Sequence, residues 1–321
     1  MPPNKIWSRR FRDMTEKVLI ATEKPFAQAA RDSMVAMFEK AGLKPLVLEK
    51  YKDAKDLVSA VSDVSAVVVR SDKVSKEVLE AGKELKLVVR AGAGYDNVDC
   101  AAAKARNVIV ENTPGQNANA VAELSMGLMI MIARGKYSGK SGTELKGKRL
   151  GVHALGNVGK IVASLGKAFG MDVCAFDPFI DQCVFDEACV GCVRSIGDLY
   201  SSCDYVSLHI PATPETIKSI NHQLLSKMKK GGTLVNTARA EVIHEEDLLR
   251  VMEERQDLKY ASDIAPKNAA AFTEKFPDRV FFTPKKMGAQ TTEANTNAGI
   301  AAAQQIIAFI KEGKVLNQVN P

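Results

Sequence analysis

Short apolar runs alternate with stretches of helical spacing along most of the chain. Lys17–Thr22 is apolar and partly β-branched, Phe26–Lys40 repeats its apolar positions three and four apart, and Pro45–Leu48 returns to a strand pattern. Ala54–Val61 then predicts a helix, Ala66–Arg70 a strand, Lys76–Ala81 a helix and Leu85–Val89 a strand. Strands spaced by helices of this length predict a parallel sheet covered on both faces.

The rhythm restarts after Asn112-Thr113-Pro114-Gly115. A long helix is predicted over Ala118–Arg134, followed by a polar, glycine-rich stretch from Gly135 to Gly147. Arg149–Ala154 predicts a strand, Lys160–Phe169 a helix and Asp172–Phe176 a strand. Tyr205–His209, Thr233–Asn236, Tyr260–Ser262 and Val280–Phe282 are further strands, and Glu293–Ile310 is a closing helix expected to pack back on the first domain. The pattern divides the chain into an extension over 1–16, one α/β domain formed by 17–111 with 291–321, and a second α/β domain over 112–290.

Composition narrows the partners. A chain of 321 residues, 46% hydrophobic and 26% charged, suits two folded domains and excludes disorder. No apolar run approaches the roughly 18–20 residues of a membrane span. The net charge of +6 is spread over helices where Lys and Arg alternate with Asp and Glu, a solvated surface rather than a nucleic-acid groove. Arg9, Arg10 and Arg12 lie in an N-terminal segment without the apolar core of a secretion signal, and Asp13 and Glu16 argue against a transit peptide, which leaves a flexible arm. Six scattered cysteines point to a reducing, cytoplasmic setting; Cys183, Cys189, Cys192 and Cys203 lack the spacing of a zinc site, so no metal is expected.

The strongest chemical signal is Gly151-Val-His-Ala154-Leu155-Gly156-Asn157-Val158-Gly159, after an apolar strand and opening a helix. Glycines there let the backbone turn tightly and approach a pyrophosphate held by helix N-terminal N–H groups. Ala154 replaces the first glycine, which is acceptable where φ is negative. Asp177, at the end of the next strand, is placed to accept the ribose hydroxyls and to repel a 2′-phosphate, favouring NAD over NADP.

Val69-Arg70-Ser71, Arg90-Ala-Gly92-Ala93-Gly94-Tyr-Asp96-Asn97-Val-Asp99 and Asn112-Thr-Pro-Gly-Gln-Asn117 resemble the D-isomer-specific 2-hydroxyacid dehydrogenases over nearly the whole chain after Lys17. Val121-Ala-Glu123, His209-Ile-Pro211 and Asn236-Thr237-Ala238-Arg239 reinforce the resemblance, which is closest to members that oxidise D-3-phosphoglycerate in the first step of serine biosynthesis. It implies a flavodoxin-like substrate domain and a Rossmann nucleotide-binding domain, both with parallel sheets, and substrate in the cleft between them. Gly92, Ala93 and Gly94 would offer N–H groups to the substrate carboxylate, Arg70 and Ser71 would hold its distal end, and Asn117 would lie beside it. Arg70, Lys73, Arg90 and Arg134 are candidate partners of a substrate phosphate, Arg70 first among them. Arg239 would orient the substrate. Leu155, Pro178, His209, Pro211, Thr237, Ala238, Asp263, Gly288 and Ala289 join the glycine turn and Asp177 around NAD, and the Ala118–Arg134 helix resembles the family's dimer-forming element.

The acid–base group departs from the family. Its Pro-His-x-Gly-Ala segment becomes Thr283-Pro284-Lys285-Lys286-Met287-Gly288-Ala289, and Asn268 stands where its glutamate falls. Alignment on Gly288 puts Lys286 in the histidine's place, and alignment on Pro284 gives Lys285. A carboxylate tunes a histidine toward neutrality but would push a lysine, starting near 10.4, further from use. A lysine base needs burial and a neighbouring cation, for which Arg239 is expected to serve. None of the four histidines replaces the missing one: His153 is expected to pack within its strand, His209 belongs to a turn near the cofactor, and His222 and His244 suit helix caps. Turnover of glyoxylate, hydroxypyruvate or D-lactate, or NAD sensing without catalysis as in C-terminal-binding corepressors, are the alternatives. The chain ends at Pro321, so serine feedback through an appended regulatory domain is not expected.

Overall fold

Val18 and Ile20 face one apolar cluster and Leu19 and Ala21 another, so the first strand is buried on both sides. The computed structural model describes residues 16–321; the extension expected over 1–16 lies, but for Glu16, outside them. Strand β1 (Lys17–Thr22) is followed by α1 (Gln28–Lys40), β2 (Lys44–Glu49), α2 (Ala54–Ala60), β3 (Ala66–Val69), α3 (Lys76–Ala81), β4 (Leu87–Arg90), α4 (Cys100–Ala105) and β5 (Ile109–Asn112). The strands pair in parallel in the order β2-β1-β3-β4-β5. This is the flavodoxin-like winding.

The second unit begins with α5 (Ala118–Ala133) and continues through β6 (Arg149–His153), α6 (Asn157–Ala168), β7 (Asp172–Phe176), α7 (Gln182–Glu187), β8 (Gly191–Cys192), α8 (Ile196–Ser202) and β9 (Tyr205–Leu208). It ends with α9 (His222–Leu225), β10 (Thr233–Asn236), α10 (Glu245–Glu254), β11 (Lys259–Ser262), α11 (Ala269–Lys275) and β12 (Val280–Phe282). The order β12-β11-β10-β9-β6-β7-β8, parallel throughout, is the dinucleotide-fold order extended by one strand, with its reversal between β6 and β9. Helix α12 (Thr292–Glu312) then returns to the first unit, where Ala298, Ala302, Ala303 and Ile306 join α1 over β1, β3 and β4.

The units part after Asn117 and after Thr291, where the sequence pattern set the divisions after 111 and after 290. Residues 112–113 stay with the first unit because Thr113 N–H donates to Gly92 and Gln305 Nε2 to the Asn112 carbonyl. Three details depart from the sequence pattern. The fifth strand, β5, and its helix α4 were not foreseen, since Val108–Val110 is short and Ala101–Ala105 lacks large apolar residues. Helix α6 starts three residues before the predicted Lys160, with Gly156 as its N-cap. His222 is not a cap: Asn221 accepts from Leu224 N–H in that position, whereas His244 does cap α10.

Candidate functional site

The turn after β6 divides its labour among three residues. Ala154 takes φ +79°, contrary to the negative value expected of it, so an alanine occupies the left-handed position that glycine normally fills. A Cβ on Gly159 would stand 2.1 Å from the Ala154 carbonyl oxygen, so this glycine permits close helix–strand contact. Nothing lies within 4 Å of a Cβ placed on Gly156, the N-cap of α6, which leaves the space a pyrophosphate would take. Relief of a left-handed alanine is worth about 1–2 kcal/mol, and the added chain freedom of glycine returns about 0.4–1. Ala154→Gly should therefore raise the urea midpoint slightly; a clear fall would mean the methyl group packs more tightly than its backbone suggests.

Asp177 closes the same turn. Its Oδ2 accepts Leu155 N–H at 2.9 Å and its Oδ1 accepts Phe179 N–H at 3.0 Å, tying the end of β7 to the glycine turn. His153, inside β6, lies beside the rings of Phe176 and Tyr200, and its Nδ1 has no hydrogen-bond partner among the described residues. Burial pushes it down to about 4 from 6.5, and His209, whose N–H donates to the His153 carbonyl, down to about 3 for the same reason with His153 adding to it. Both rings are therefore neutral at pH 7.

At the far strands of this unit, buried polar side chains hold the loops. Asn236 Oδ1 accepts Ala238 N–H and its Nδ2 donates to the Arg239 carbonyl, while the Thr237 hydroxyl meets that of Ser125 at 2.8 Å. The partly buried Arg239 thus leaves a backbone fixed on both sides, its Nη1 reaching the Ala238 carbonyl at 3.1 Å. Asp263, 1% exposed, accepts Met287 N–H at 2.7 Å, Gly288 N–H at 2.8 Å and the Thr283 hydroxyl at 3.1 Å. Lys286 immediately precedes this clamp, with Ala289 just beyond it. Lys285 and Lys286 are both exposed, so the burial expected around a lysine base is not provided by the fold. Asn268, at the family's glutamate position, is the N-cap residue of α11, and its N–H lies against Glu245 at 3.3 Å.

In the first unit, Gly92 takes φ +145° and the Arg90 guanidinium lies where its Cβ would be, 1.6 Å from that point. A side chain at Gly92 would expel the arginine. The N–H groups of Gly92, Ala93 and Gly94 donate to no group among the described residues. Arg70 is held by its own fold: Nη1 donates to the Lys24 and Pro25 carbonyls at 2.9 and 3.0 Å, Nη2 to Asn295 Oδ1, and the group lies over Phe26. Ser71 is exposed and Asn117, ahead of α5, is partly exposed. Asp72, which sequence reasoning missed, is buried and accepts Glu23 N–H, Arg70 N–H and the Tyr51 hydroxyl. Its signal was faint, a single acid after Arg70-Ser71.

Among the described residues no cluster of His, Cys, Asp or Glu is fit to hold a metal, and no helix is long and apolar enough to cross a membrane. Cys183, Cys189 and Cys192 are exposed free thiols.

Two parallel sheets with these windings, one carrying a glycine turn and a following acid, define a dinucleotide-dependent dehydrogenase architecture. Residues 125–285 match the model for the NAD binding domain of the D-isomer specific 2-hydroxyacid dehydrogenases, and the chain belongs to that family. It is 36% identical over 284 residues to a D-3-phosphoglycerate dehydrogenase of Methanocaldococcus jannaschii, covering 83% of this chain and 53% of that one. A hydroxypyruvate reductase of Thermotoga maritima is 36% identical over 280 residues, covering 81% and 89%. The solved structure of NAD-bound 3-phosphoglycerate dehydrogenase from Entamoeba histolytica superposes with a TM-score of 0.87 at 44% identity, covering 96% of this chain and 99% of that one. The chain spans about half the length of the curated phosphoglycerate dehydrogenases of Methanocaldococcus and Synechocystis that it matches.

Proposed function

We propose that the chain oxidises D-3-phosphoglycerate to 3-phosphohydroxypyruvate with NAD. The observation that carries this reading is the chain-wide similarity to the NAD-bound Entamoeba enzyme, 44% identical over 99% of that chain. NAD supplies the hydride acceptor. Leu155, Gly156, Asn157, Val158 and Gly159 would hold its pyrophosphate, and Asp177, already fixed by two backbone N–H groups, would accept the ribose hydroxyls. Pro178, His209, Pro211, Thr237, Ala238, Asp263, Gly288 and Ala289 complete the cofactor contacts in this proposal.

Arg239 would orient the substrate carboxylate and polarise the carbonyl, and Gly92, Ala93 and Gly94 would offer N–H donors, with Ser71 and Asn117 as further proposed substrate contacts. Arg70 with Ser71 would hold the distal, anionic end of the substrate, and Arg90, whose guanidinium covers Gly92, is a further candidate cation. Lys286 takes the 2-hydroxyl proton during oxidation and returns it during reduction. Its exposed ammonium needs shielding, which bound NAD and substrate would provide, together with the positive charge of Arg239.

Steady-state rates on 3-phosphoglycerate, D-lactate, glyoxylate and hydroxypyruvate, with NAD(H) and NADP(H), test the reading. A phosphorylated substrate is expected to win in kcat/KM by at least about tenfold, as loss of a charged contact would dictate. The Thermotoga relative favours the second reading, hydroxypyruvate reduction, which a preference for the unphosphorylated acid would establish. NAD binding without turnover on any of these acids would instead leave a cofactor-sensing protein. The proposed assembly is a cytoplasmic homodimer, checked by sedimentation.

A further inference from the structure

Cys174 and Cys203 lie in the second unit with their sulfurs 3.4 Å apart, and both are buried. Cys174 is in β7, in register with Gly151 of β6 on one side and Gly191 of β8 on the other. Neither neighbour carries a side chain: the Gly151 flank is filled by the Cys203 sulfur and Leu199, and the other lies against the exposed Gly191 of the edge strand. A Cβ at Gly151 would stand 2.9 Å from the Cys203 sulfur, so the glycine of the middle strand is what lets the two sulfurs meet. Arg149, one strand away at the start of β6, has a side chain 38% exposed and brings its positive charge to Cys174 from the solvent side.

We propose that Cys174 and Cys203 form an oxidisable dithiol, a modification site that couples the redox state of the surroundings to the nucleotide turn. The Cys203 S–H and the Arg149 guanidinium bring the Cys174 thiol down to about 7 from 9.0, while Cys203 is pushed up by the same contact and by burial. Cys174 is thus the nucleophile and Cys203 the resolving thiol. The oxidant is a hydroperoxide. The Cys174 thiolate attacks its terminal oxygen, forming an S–O bond and breaking O–O, and the departing alkoxide takes up the thiol proton as an alcohol. Cys203 sulfur then attacks Cys174 sulfur, forming S–S and breaking S–O, and hydroxide leaves with the Cys203 proton as water. Two thiols and one hydroperoxide give one disulfide, one alcohol and one water. Closing the sulfurs to a bond of about 2.0 Å brings them roughly 1.4 Å nearer, a change shared by β7 and the end of α8. Asp177 directly follows β7, and β6, between β7 and β9, leads into the glycine turn, so the strain falls beside the residues proposed to hold the cofactor.

The test uses the full chain with Cys183→Ser, Cys189→Ser and Cys192→Ser, so that no exposed cysteine near the pair competes. After hydrogen peroxide, digestion and mass spectrometry should show the Cys174 and Cys203 peptides joined with the loss of two hydrogens, and dithiothreitol should separate them. NAD binding, followed by fluorescence, should weaken about tenfold on oxidation and recover on reduction, within the usual range for coupled sites. Adding Cys203→Ser should stop at the sulfenic acid, trapped by dimedone on Cys174. Free Cys174 and Cys203 after peroxide, or a sulfenic acid that never resolves in the parent, overturns the dithiol. A joined pair with unchanged NAD affinity overturns the coupling. The cross-link is read without any assay of turnover, so its failure is distinguishable from failure of the proposed activity.

Discussion

Lys286→Met is expected to lower turnover at least about 100-fold while NAD binding stays unchanged, the loss expected of a general acid–base group. The methionine keeps roughly the length of the side chain and removes its ammonium, charge and proton together. Because Asp263 holds Met287 and Gly288 by their N–H groups, the backbone at 286 should stay in place in the variant. Lys285→Met separates the two lysines: it should retain most activity if Gly288 sets the register of the segment. Lys286→His restores the family's residue without its glutamate partner, and its oxidation rate should rise to a plateau at lower pH than the parent's. Equal turnover for Lys286→Met and the parent would move the acid–base role elsewhere in the molecule.

Acid should destabilise the second unit well before its carboxylates protonate. His153 holds a folded value near 4 against 6.5, because burial favours its neutral ring more than Asp177 favours the charged one. The unfolded chain therefore takes up a proton below about pH 6.5 that the folded chain refuses until about pH 4. Stability is full above that window and falls as pH drops through it, by up to about 3 kcal/mol for this residue. His209, held down to about 3 by burial, acts in the same direction. Urea midpoints measured between pH 7 and 4 should show the slope, and His153→Gln should flatten much of it. A variant as acid-sensitive as the parent would mean that other groups carry the effect.

The windings were legible because both sheets are parallel and their strands are continuous apolar runs, as in Val67-Val68-Val69 and Leu87-Val88-Val89. Short elements escaped for the converse reason: the two residues of β8 carry no period, and the six residues of α4 are a cysteine, four alanines and a lysine. At the site, residue types were readable from motif order, but the use of each side chain was not. That Arg70 is also tied to the carbonyls of Lys24 and Pro25, distant in sequence, could not be read from its motif. Ala154 looked compatible with negative φ because nothing local in the sequence dictates the sign; the position between β6 and α6 does. Asp263 passed as one more residue beside the cofactor, and its hold on the loop twenty-odd residues later is a long-range fact.

The chain leaves the first unit after Asn117 and re-enters it at Thr292, and that path orders events on the ribosome. Strands β1 to β5 emerge first, yet Val18, Ile20, Ala66, Val68, Leu87 and Val89 share their cluster with α12 residues synthesised far later. Glu111 in β5 likewise waits for the N–H groups of Leu316 and Asn317, and Val108 and Val110 for the side chain of Asn320. The second unit is continuous and has all its strands in hand by Phe282. During vectorial synthesis the domain born first is therefore completed last, and the sheet it holds open in the meantime is the natural client surface for a chaperone.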